Sequence, residues 1–241
     1  MNPSKLLLPA ALLAASCATQ AAADECAATA KTVSGDFGNL AKYRDADAAL
    51  GAPKKGEKCV VFFGDSITEY WKLGDFFPGQ GYVNRGISGQ TTPQMRLRFC
   101  QDVLALKPAA VVILAGTNDV AGNTGIETDE EIQSNLRFMT ELATKNGISV
   151  VMSSILPAAR YPWKPEVKPV ERILAINTWI KDHAAKNGLV HLDYYSALVD
   201  DKHGLPLALA GDGVHPNKAG YAIMAPLAAD AIARALAEKR P

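Results

Sequence analysis

Two segments far apart in the chain carry side-chain types that together can hydrolyse an ester. Ser66 lies in GDSIT, and Asp212 and His215 lie in DGVHP. A serine hydroxyl becomes a nucleophile when a base near neutrality takes its proton, and histidine is the usual base. The histidine needs a carboxylate to fix its tautomer, and Asp212 can reach His215 within one turn. Each residue alone also has a structural alternative. The serine and the aspartate can cap helices, and the histidine can be an exposed surface residue.

Two further segments can supply donors for an oxyanion. Residues 84–92 read NRGISGQTT, and glycines there allow backbone N–H groups to approach a ligand closely. Residues 116–119 read GTND, and Asn118 at a strand end can direct its amide N–H₂ into a site. Taken alone, each segment also has a structural interpretation: a turn followed by a helix cap for 84–92, and an Asx turn for 116–119. The four segments together favour acyl transfer.

An alternation of strands and helices must position these segments. Apolar runs without alternation, typical of strands buried on both faces, occur at 59–63, 82–84, 110–115, 149–153 and 189–192. Helical patterns occur at about 93–106, 128–146, 168–187 and 216–239. This order predicts one α/β domain in which helices cover a parallel sheet. Ligands of such sheets bind beyond the carboxyl ends of the strands, where the polar segments begin.

The four segments, in this order, resemble those of the SGNH (GDSL-type) serine hydrolases. The resemblance extends from Gly64 to Pro216. It implies a flavodoxin-like three-layer α/β/α sandwich with a five-stranded parallel sheet. Members hydrolyse esters, and some thioesters, without a metal or an organic cofactor. The order GISGQTT then GTND looks closest to bacterial acylhydrolases and acetylesterases of the family.

The resemblance also assigns roles to residues of this chain. It implies a catalytic triad that consists of Ser66, Asp212 and His215. It also implies an oxyanion hole formed by Ser66, Gly89 and Asn118. We therefore expect a serine esterase that forms an acyl-enzyme on its serine. A short acyl group, with acetyl on a carbohydrate as the leading candidate, is the expected substrate. The alternatives are a lysophospholipase or thioesterase-type acylhydrolase for longer chains, and a non-catalytic carbohydrate-binding protein of the same fold.

Two tryptophans are candidate substrate contacts. Trp71 follows the nucleophile segment, and Trp163 follows the fourth predicted strand. An aromatic ring at either place can stack on a sugar or contact an acyl chain, whereas ordinary packing is the alternative. We expect a small-molecule or glycan ester as the partner.

Composition excludes several other classes. The 241 residues contain 25 Lys+Arg and 25 Asp+Glu, so the formal net charge is zero, unlike that of a general nucleic-acid binder. Hydrophobic residues make up 48% and charged residues 21%, as in globular proteins. No histidine has metal-ligand spacing with another histidine or a cysteine, so we expect no metal. No uninterrupted apolar run has the roughly 18–20 residues that cross a bilayer, and the oligomeric state stays open.

The N-terminal segment has the pattern of a secretory signal. A single lysine, Lys5, precedes an apolar run at 6–15 and an A-x-A site at 21–23. We predict a signal peptide at 1–23 and a single domain at 24–241, exported to the periplasm or the medium. Lipoprotein processing, with an anchor on Cys17, is the alternative.

Three cysteines remain after such cleavage: Cys26, Cys59 and Cys100. Two of them can pair in an oxidising compartment, and one thiol is then left over. Whether a pair forms, and which one, stays open at this level, as does the alternative of three reduced thiols that fill apolar space.

Overall fold

The computed structural model describes residues 35–51, 53, 56 and 58–237. The predicted signal peptide, Cys17 and Cys26 lie outside these residues. The strands are β1 (Val60–Gly64), β2 (Val83–Gly86), β3 (Ala110–Leu114), β4 (Ser149–Ser153) and β5 (Val190–Leu192). They form one sheet in the order β2-β1-β3-β4-β5, and every neighbouring pair is parallel. The predicted five-stranded parallel sheet is confirmed.

Helices connect these strands and cover both faces of the sheet. The longer ones are α1 (Ala41–Leu50), α4 (Thr92–Asp102), α6 (Asp129–Lys145), α7 (Val170–Lys186) and α9 (Lys218–Ala237). The shorter ones are α2 (Ser66–Glu69), α3 (Leu73–Phe76), α5 (Thr117–Val120) and α8 (Tyr194–Leu198), with a 3₁₀ turn at Leu104–Leu106. The last helix begins two residues after Pro216, because the Asn217 side chain accepts the N–H groups of Ala219 and Gly220.

The apolar strands create two cores. Every residue of β1, β3 and β4 is buried, and successive side chains point to opposite faces. Phe63 packs in the cluster that contains residues of α4, α6 and α7, whereas Phe62 packs in the cluster that contains residues of α9. The molecule therefore has the predicted three-layer α/β/α arrangement.

Helix α9 has the length and composition of a segment that could cross a membrane. It is not an uninterrupted apolar run, because it contains Asp230 and Arg234. It packs against β3, β4 and β5 and buries Tyr221, Met224 and Ile232 in the core. That packing is typical of a core helix in a sandwich.

The structure also bears on the cysteines. Cys100, in α4, is disulfide-bonded, so the alternative with three reduced thiols is wrong. Cys59 directly precedes β1, and its partly buried side chain packs against the core cluster that contains Phe63.

Candidate active site

Ser66 begins α2, separated by one residue from the end of the interior strand β1. The preceding residue, Asp65, caps this turn by accepting the N–H of Ile67 at 2.9 Å. A Cβ on Gly64 would lie 2.1 Å from the Thr68 hydroxyl oxygen, so the sharp turn from strand to helix needs glycine there. Ser66 is 4% exposed and lies at the carboxyl edge of the sheet. The local sequence GDSIT thus holds one hydroxyl at the place where such sheets bind ligands.

The three residues of the predicted triad come together. The Ser66 hydroxyl lies 2.9 Å from His215 Nε2, and His215 Nδ1 lies 2.6 Å from Asp212 Oδ2. The other Asp212 oxygen accepts the backbone N–H groups of Val214 and His215 at 2.9 and 2.8 Å. Burial alone would raise the pKa of Asp212, but hydrogen bonds from the side chain and backbone of His215 and from Val214 outweigh it and lower the pKa. An ionised Asp212 fixes the imidazole tautomer that leaves Nε2 free to accept the serine proton.

Asn118 lies in α5, directly after β3, and its amide faces the same edge of the sheet. Its Nδ2 donates to Gln90 O at 3.0 Å and lies 3.3 Å from Asp65 Oδ2, while its Oδ1 accepts from Asn123. Gly89, just before Gln90, has a φ of +77°, a conformation that glycine adopts without strain. The amide of Asn118 is therefore bound between the residue before Ser66 and the residue after Gly89.

Two buried carboxyl groups lie beside the proposed oxyanion donors. Asp65 is fully buried, and burial raises its pKa to about 6, although the Ile67 N–H and the positive charge of His215 oppose the shift. Burial likewise raises the pKa of Asp119 well above its ordinary value, and a hydrogen bond with Glu127 adds to the effect.

Asp119 also has a structural contact. One of its oxygens accepts the hydroxyl and the backbone N–H of Thr92 at 2.5 and 2.8 Å. This contact ties α5 to the first turn of α4, so the aspartate of GTND positions the neighbouring Asn118.

Arg98 connects the loops beneath the site, and the sequence analysis did not identify it. This fully buried guanidinium donates to the carbonyls of Gly64 and Arg85 at 2.8 and 2.9 Å, to Gln90 Oε1 at 2.5 Å and to Asp102 at 2.9 Å. It therefore holds the ends of β1 and β2 and the loop after β2 together. The i,i+4 spacing of an arginine and an aspartate in α4 was the available signal, but such pairs usually lie on helix surfaces.

The expectation that Trp71 contacts a substrate is wrong. Its side chain is 3% exposed and stacks on Tyr221, with ring centroids 5.1 Å apart. It also meets Phe62 edge to face at 5.5 Å. Trp71 therefore packs in the aromatic core under α9, which was the alternative that the sequence left open.

Two other aromatic rings flank His215. Tyr70 is 53% exposed with its ring centroid 5.6 Å from that of His215, and Trp163 is 39% exposed at 5.9 Å. Trp163 therefore lies beside the predicted triad, and so does Tyr70, which the sequence did not predict as a substrate contact. A groove of about 420 Å³ lies beside Asp212 and is also lined by Arg160 and Leu207.

The chain is similar to several known proteins. The chain is 34% identical over 127 residues to the uncharacterized lipoprotein YqeF of Bacillus subtilis, matching 44% of this chain but only about half (52%) of that protein. It is 31% identical over 204 residues to an acetylxylan esterase of Geobacillus stearothermophilus, matching 70% of this chain and 91% of that protein. The crystal structure of a GDSL-like lipase from Bacteroides thetaiotaomicron superposes with a TM-score of 0.80 at 45% identity, covering 83% of this chain and 100% of the other.

The sequence profile of the GDSL-like lipase/acylhydrolase family matches residues 62–223. That span begins in β1, ends in α9 and contains all four polar segments. The chain belongs to the GDSL-like lipase/acylhydrolase family.

Proposed function

We propose that this protein is a serine carboxylic-ester hydrolase that removes a short acyl group, acetyl from a carbohydrate, through an acyl-enzyme on Ser66. The observation that carries the proposal is the continuous chain of side chains from Ser66 Oγ to His215 Nε2 (2.9 Å) and from His215 Nδ1 to Asp212 Oδ2 (2.6 Å). A serine, a histidine and a carboxylate in this order form the unit that activates a hydroxyl for attack on a carbonyl.

The first half-reaction acylates the serine. His215 Nε2 takes the proton of Ser66 as Oγ attacks the ester carbonyl carbon, and Asp212 stabilises the imidazolium that forms. The negative charge that develops on the carbonyl oxygen is held by the backbone N–H groups of Ser66 and Gly89 and by Asn118 Nδ2. The C–O bond to the alcohol then breaks, and the imidazolium gives its proton to the leaving alkoxide.

The second half-reaction releases the acid. His215 takes a proton from water as the water oxygen attacks the acyl carbon, and the same three donors hold the second oxyanion. The bond between Ser66 Oγ and the acyl carbon then breaks, and the serine recovers its proton from His215.

We propose a carbohydrate as the alcohol part of the ester, because exposed aromatic rings lie beside His215, which would protonate the leaving alcohol. The rings of Tyr70 and Trp163 lie beside His215 and are 53% and 39% exposed. Aromatic faces pack well against the C–H faces of sugars. The groove beside Asp212 gives further sugar units room. Acetylxylan esterases among the relatives support acetyl as the acyl group.

Hydrolysis of p-nitrophenyl esters from C2 to C12, run beside acetylated xylan, tests both parts of the proposal. We expect the highest kcat/KM at C2 and release of acetate from the polysaccharide. Ser66→Ala should lose about 10⁶ in kcat, as triad variants of other serine hydrolases do. Ser196→Ala is the matched control, because Ser196 is an exposed serine bonded to Asp193 at the start of α8 and should keep the full rate.

Each other outcome of the panel has a defined meaning. A maximum at C8 to C12 would contradict the short acyl group and favour a lysophospholipase or thioesterase-type acylhydrolase. Binding of xylan without turnover of any ester would contradict the enzyme and favour a carbohydrate-binding protein. Full activity of Ser66→Ala would contradict the assigned nucleophile.

Export is part of the proposal. The N-terminal pattern supports it, and one relative of the chain is a lipoprotein. Fractionation of cells that express the full chain, with Cys17→Ser beside the natural sequence, tests the route. Release of the natural protein by osmotic shock supports a periplasmic form, whereas membrane association that Cys17→Ser abolishes supports the lipid anchor.

A further inference from the structure

An indole N–H sets the orientation of one amide beside the proposed oxyanion hole. Trp163 Nε1 donates to Asn123 Oδ1 at 3.0 Å. The indole nitrogen can only donate a hydrogen bond, so it must face the oxygen of the amide and not its NH₂ group. The side chain of Asn123 is therefore bound with its oxygen toward Trp163 and its nitrogen on the opposite side.

That nitrogen faces two groups of the proposed oxyanion hole. Asn123 Nδ2 donates to Asn118 Oδ1 at 2.7 Å and lies 3.4 Å from the carbonyl oxygen of Gly89. The backbone N–H of Asn123 also donates to the carbonyl of Asn118 at 3.0 Å. One side chain thus contacts both residues that, with the serine, are proposed to bind the oxyanion.

The contact determines where the Asn118 donor points. With Oδ1 bound to Asn123, Nδ2 of Asn118 must lie on the other side, where the Gln90 carbonyl and the Asp65 carboxylate accept from it. We infer that Asn123, itself oriented by the indole of Trp163, is a positioning residue that fixes the rotation of the Asn118 amide, so that its NH₂ group lies beside Asp65, the residue next to the proposed nucleophile. The inference rests on the proposed function, since it names what organises that same site.

The hydrogen bonds from Trp163 to Asn123 and from Asn123 to Asn118, called the relay below, should affect the chemical step. Trp163 is 39% exposed beside His215, so a bound substrate covers its ring and removes water from the bond to Asn123. A hydrogen bond without competing water is stronger, and donors that are better aimed at the transition state raise kcat without tightening substrate binding. Loss of the relay should therefore lower kcat and leave KM nearly unchanged.

Asn123→Ala tests the positioning role directly. We expect kcat to fall about tenfold, less than the 10²–10³ that follows removal of an oxyanion donor, with little change in KM. In the Asn118→Ala background the same substitution should cost nothing further, because there is no amide left to aim. Asn146→Ala is the matched control, since Asn146 caps α6 by a bond to the Leu142 carbonyl and should leave kcat unchanged in both backgrounds.

Two further variants separate positioning from folding. Trp163→Phe keeps an aromatic ring and removes the indole N–H, so it should lower kcat at a nearly unchanged KM. Trp163→Leu removes the aromatic face as well and should also raise KM for acetylated xylan. Asn123→Asp places a carboxylate oxygen opposite Asn118 Oδ1. Its kcat should fall more than that of Asn123→Ala at pH 8, and its ratio to wild type should recover toward pH 5 as the carboxyl gains a proton to donate.

The outcomes distinguish this inference from the proposed function. Wild-type kcat in Asn123→Ala, or an equal loss in the natural and Asn118→Ala backgrounds, would overturn the positioning role while ester hydrolysis itself stands. A wild-type protein that hydrolyses no ester, or a Ser66→Ala variant as active as wild type, would overturn the proposed function instead.

Discussion

Replacing Asp65 by asparagine should change how the stability of this protein depends on pH. Asp65 is fully buried next to Ser66, and burial raises the pKa of its carboxyl to about 6 against the Ile67 N–H and the His215 charge. In the unfolded chain the same group titrates near 3.9. Between these two values the folded protein holds a proton that the unfolded chain has lost, so stability falls as the pH rises through this window.

The size of the effect follows from the two pKa values. Integrating the difference in bound protons from pH 5 to pH 8, with about 6 for the folded state and about 3.9 for the unfolded state, gives a loss of about 1.4 kcal/mol. Asparagine has the same shape and does not titrate. The free energy of unfolding of Asp65→Asn minus that of wild type should therefore rise by about 1.4 kcal/mol between pH 5 and pH 8.

Urea unfolding of both proteins at the two pH values measures this difference. Changed contacts, such as an NH₂ group facing Asn118, are the same at both pH values and cancel in the comparison. Repeating the pair in a His215→Gln background removes the opposing effect of His215 on the pKa of Asp65, so the rise should persist and become larger. Equal pH dependence of wild type and Asp65→Asn would refute the reasoning, and a difference of the opposite sign would mean that the carboxylate is stabilised on folding.

Three further predictions follow from contacts of the described residues. Arg98→Met should lower the free energy of unfolding by about 3–5 kcal/mol in urea melts, because it leaves a buried carboxylate and three acceptors without their partner. Gly86→Ala should lower the free energy of unfolding by about 1–3 kcal/mol or more, since the added Cβ would lie 2.1 Å from the backbone nitrogen of Glu69. Gly74→Ala is the control: its Cβ would meet no atom within 4 Å, so its free energy of unfolding should stay within about 1 kcal/mol of that of wild type. Tyr70→Ala should raise KM for acetylated xylan several-fold and leave hydrolysis of p-nitrophenyl acetate unchanged; equal effects on both substrates would place the tyrosine outside sugar binding.

The parts of the fold that could be predicted from the sequence are those with a local pattern. The strands β1, β3 and β4 are buried on both faces, so unbroken apolar runs identify them within a residue or two. The edge strand β2 extends from Val83 to Gly86 rather than over the predicted 82–84, and it contains the polar residues Asn84 and Arg85. Those polar side chains are satisfied by distant partners that no periodicity shows. Arg85 pairs with Asp47 of α1, and Asn84 donates to the carbonyls of Thr68 and Trp71, in α2 and just after it.

The same distinction applies to the candidate site. The proposed triad and oxyanion residues lie in short motifs whose chemistry is recognisable within a few residues. Arg98, Asn123 and Tyr70 depend on partners many positions away, and each is an ordinary residue in its own neighbourhood. The prediction for Trp71 failed because a position close to the nucleophile in sequence does not determine which way a side chain points once a helix turn ends there.

Labelling with a serine-directed fluorophosphonate, followed by peptide mass spectrometry, tests the central claim most directly. A nucleophilic serine attacks the phosphorus, loses its proton to the base and displaces fluoride, which leaves a stable phosphonyl ester on the reactive side chain. We predict one labelled peptide, the one that contains Ser66, loss of p-nitrophenyl acetate hydrolysis in proportion to labelling, and no label on Ser66→Ala. Undiminished hydrolysis by the fully labelled protein, or a label on another serine that tracks the loss of activity, would contradict the account.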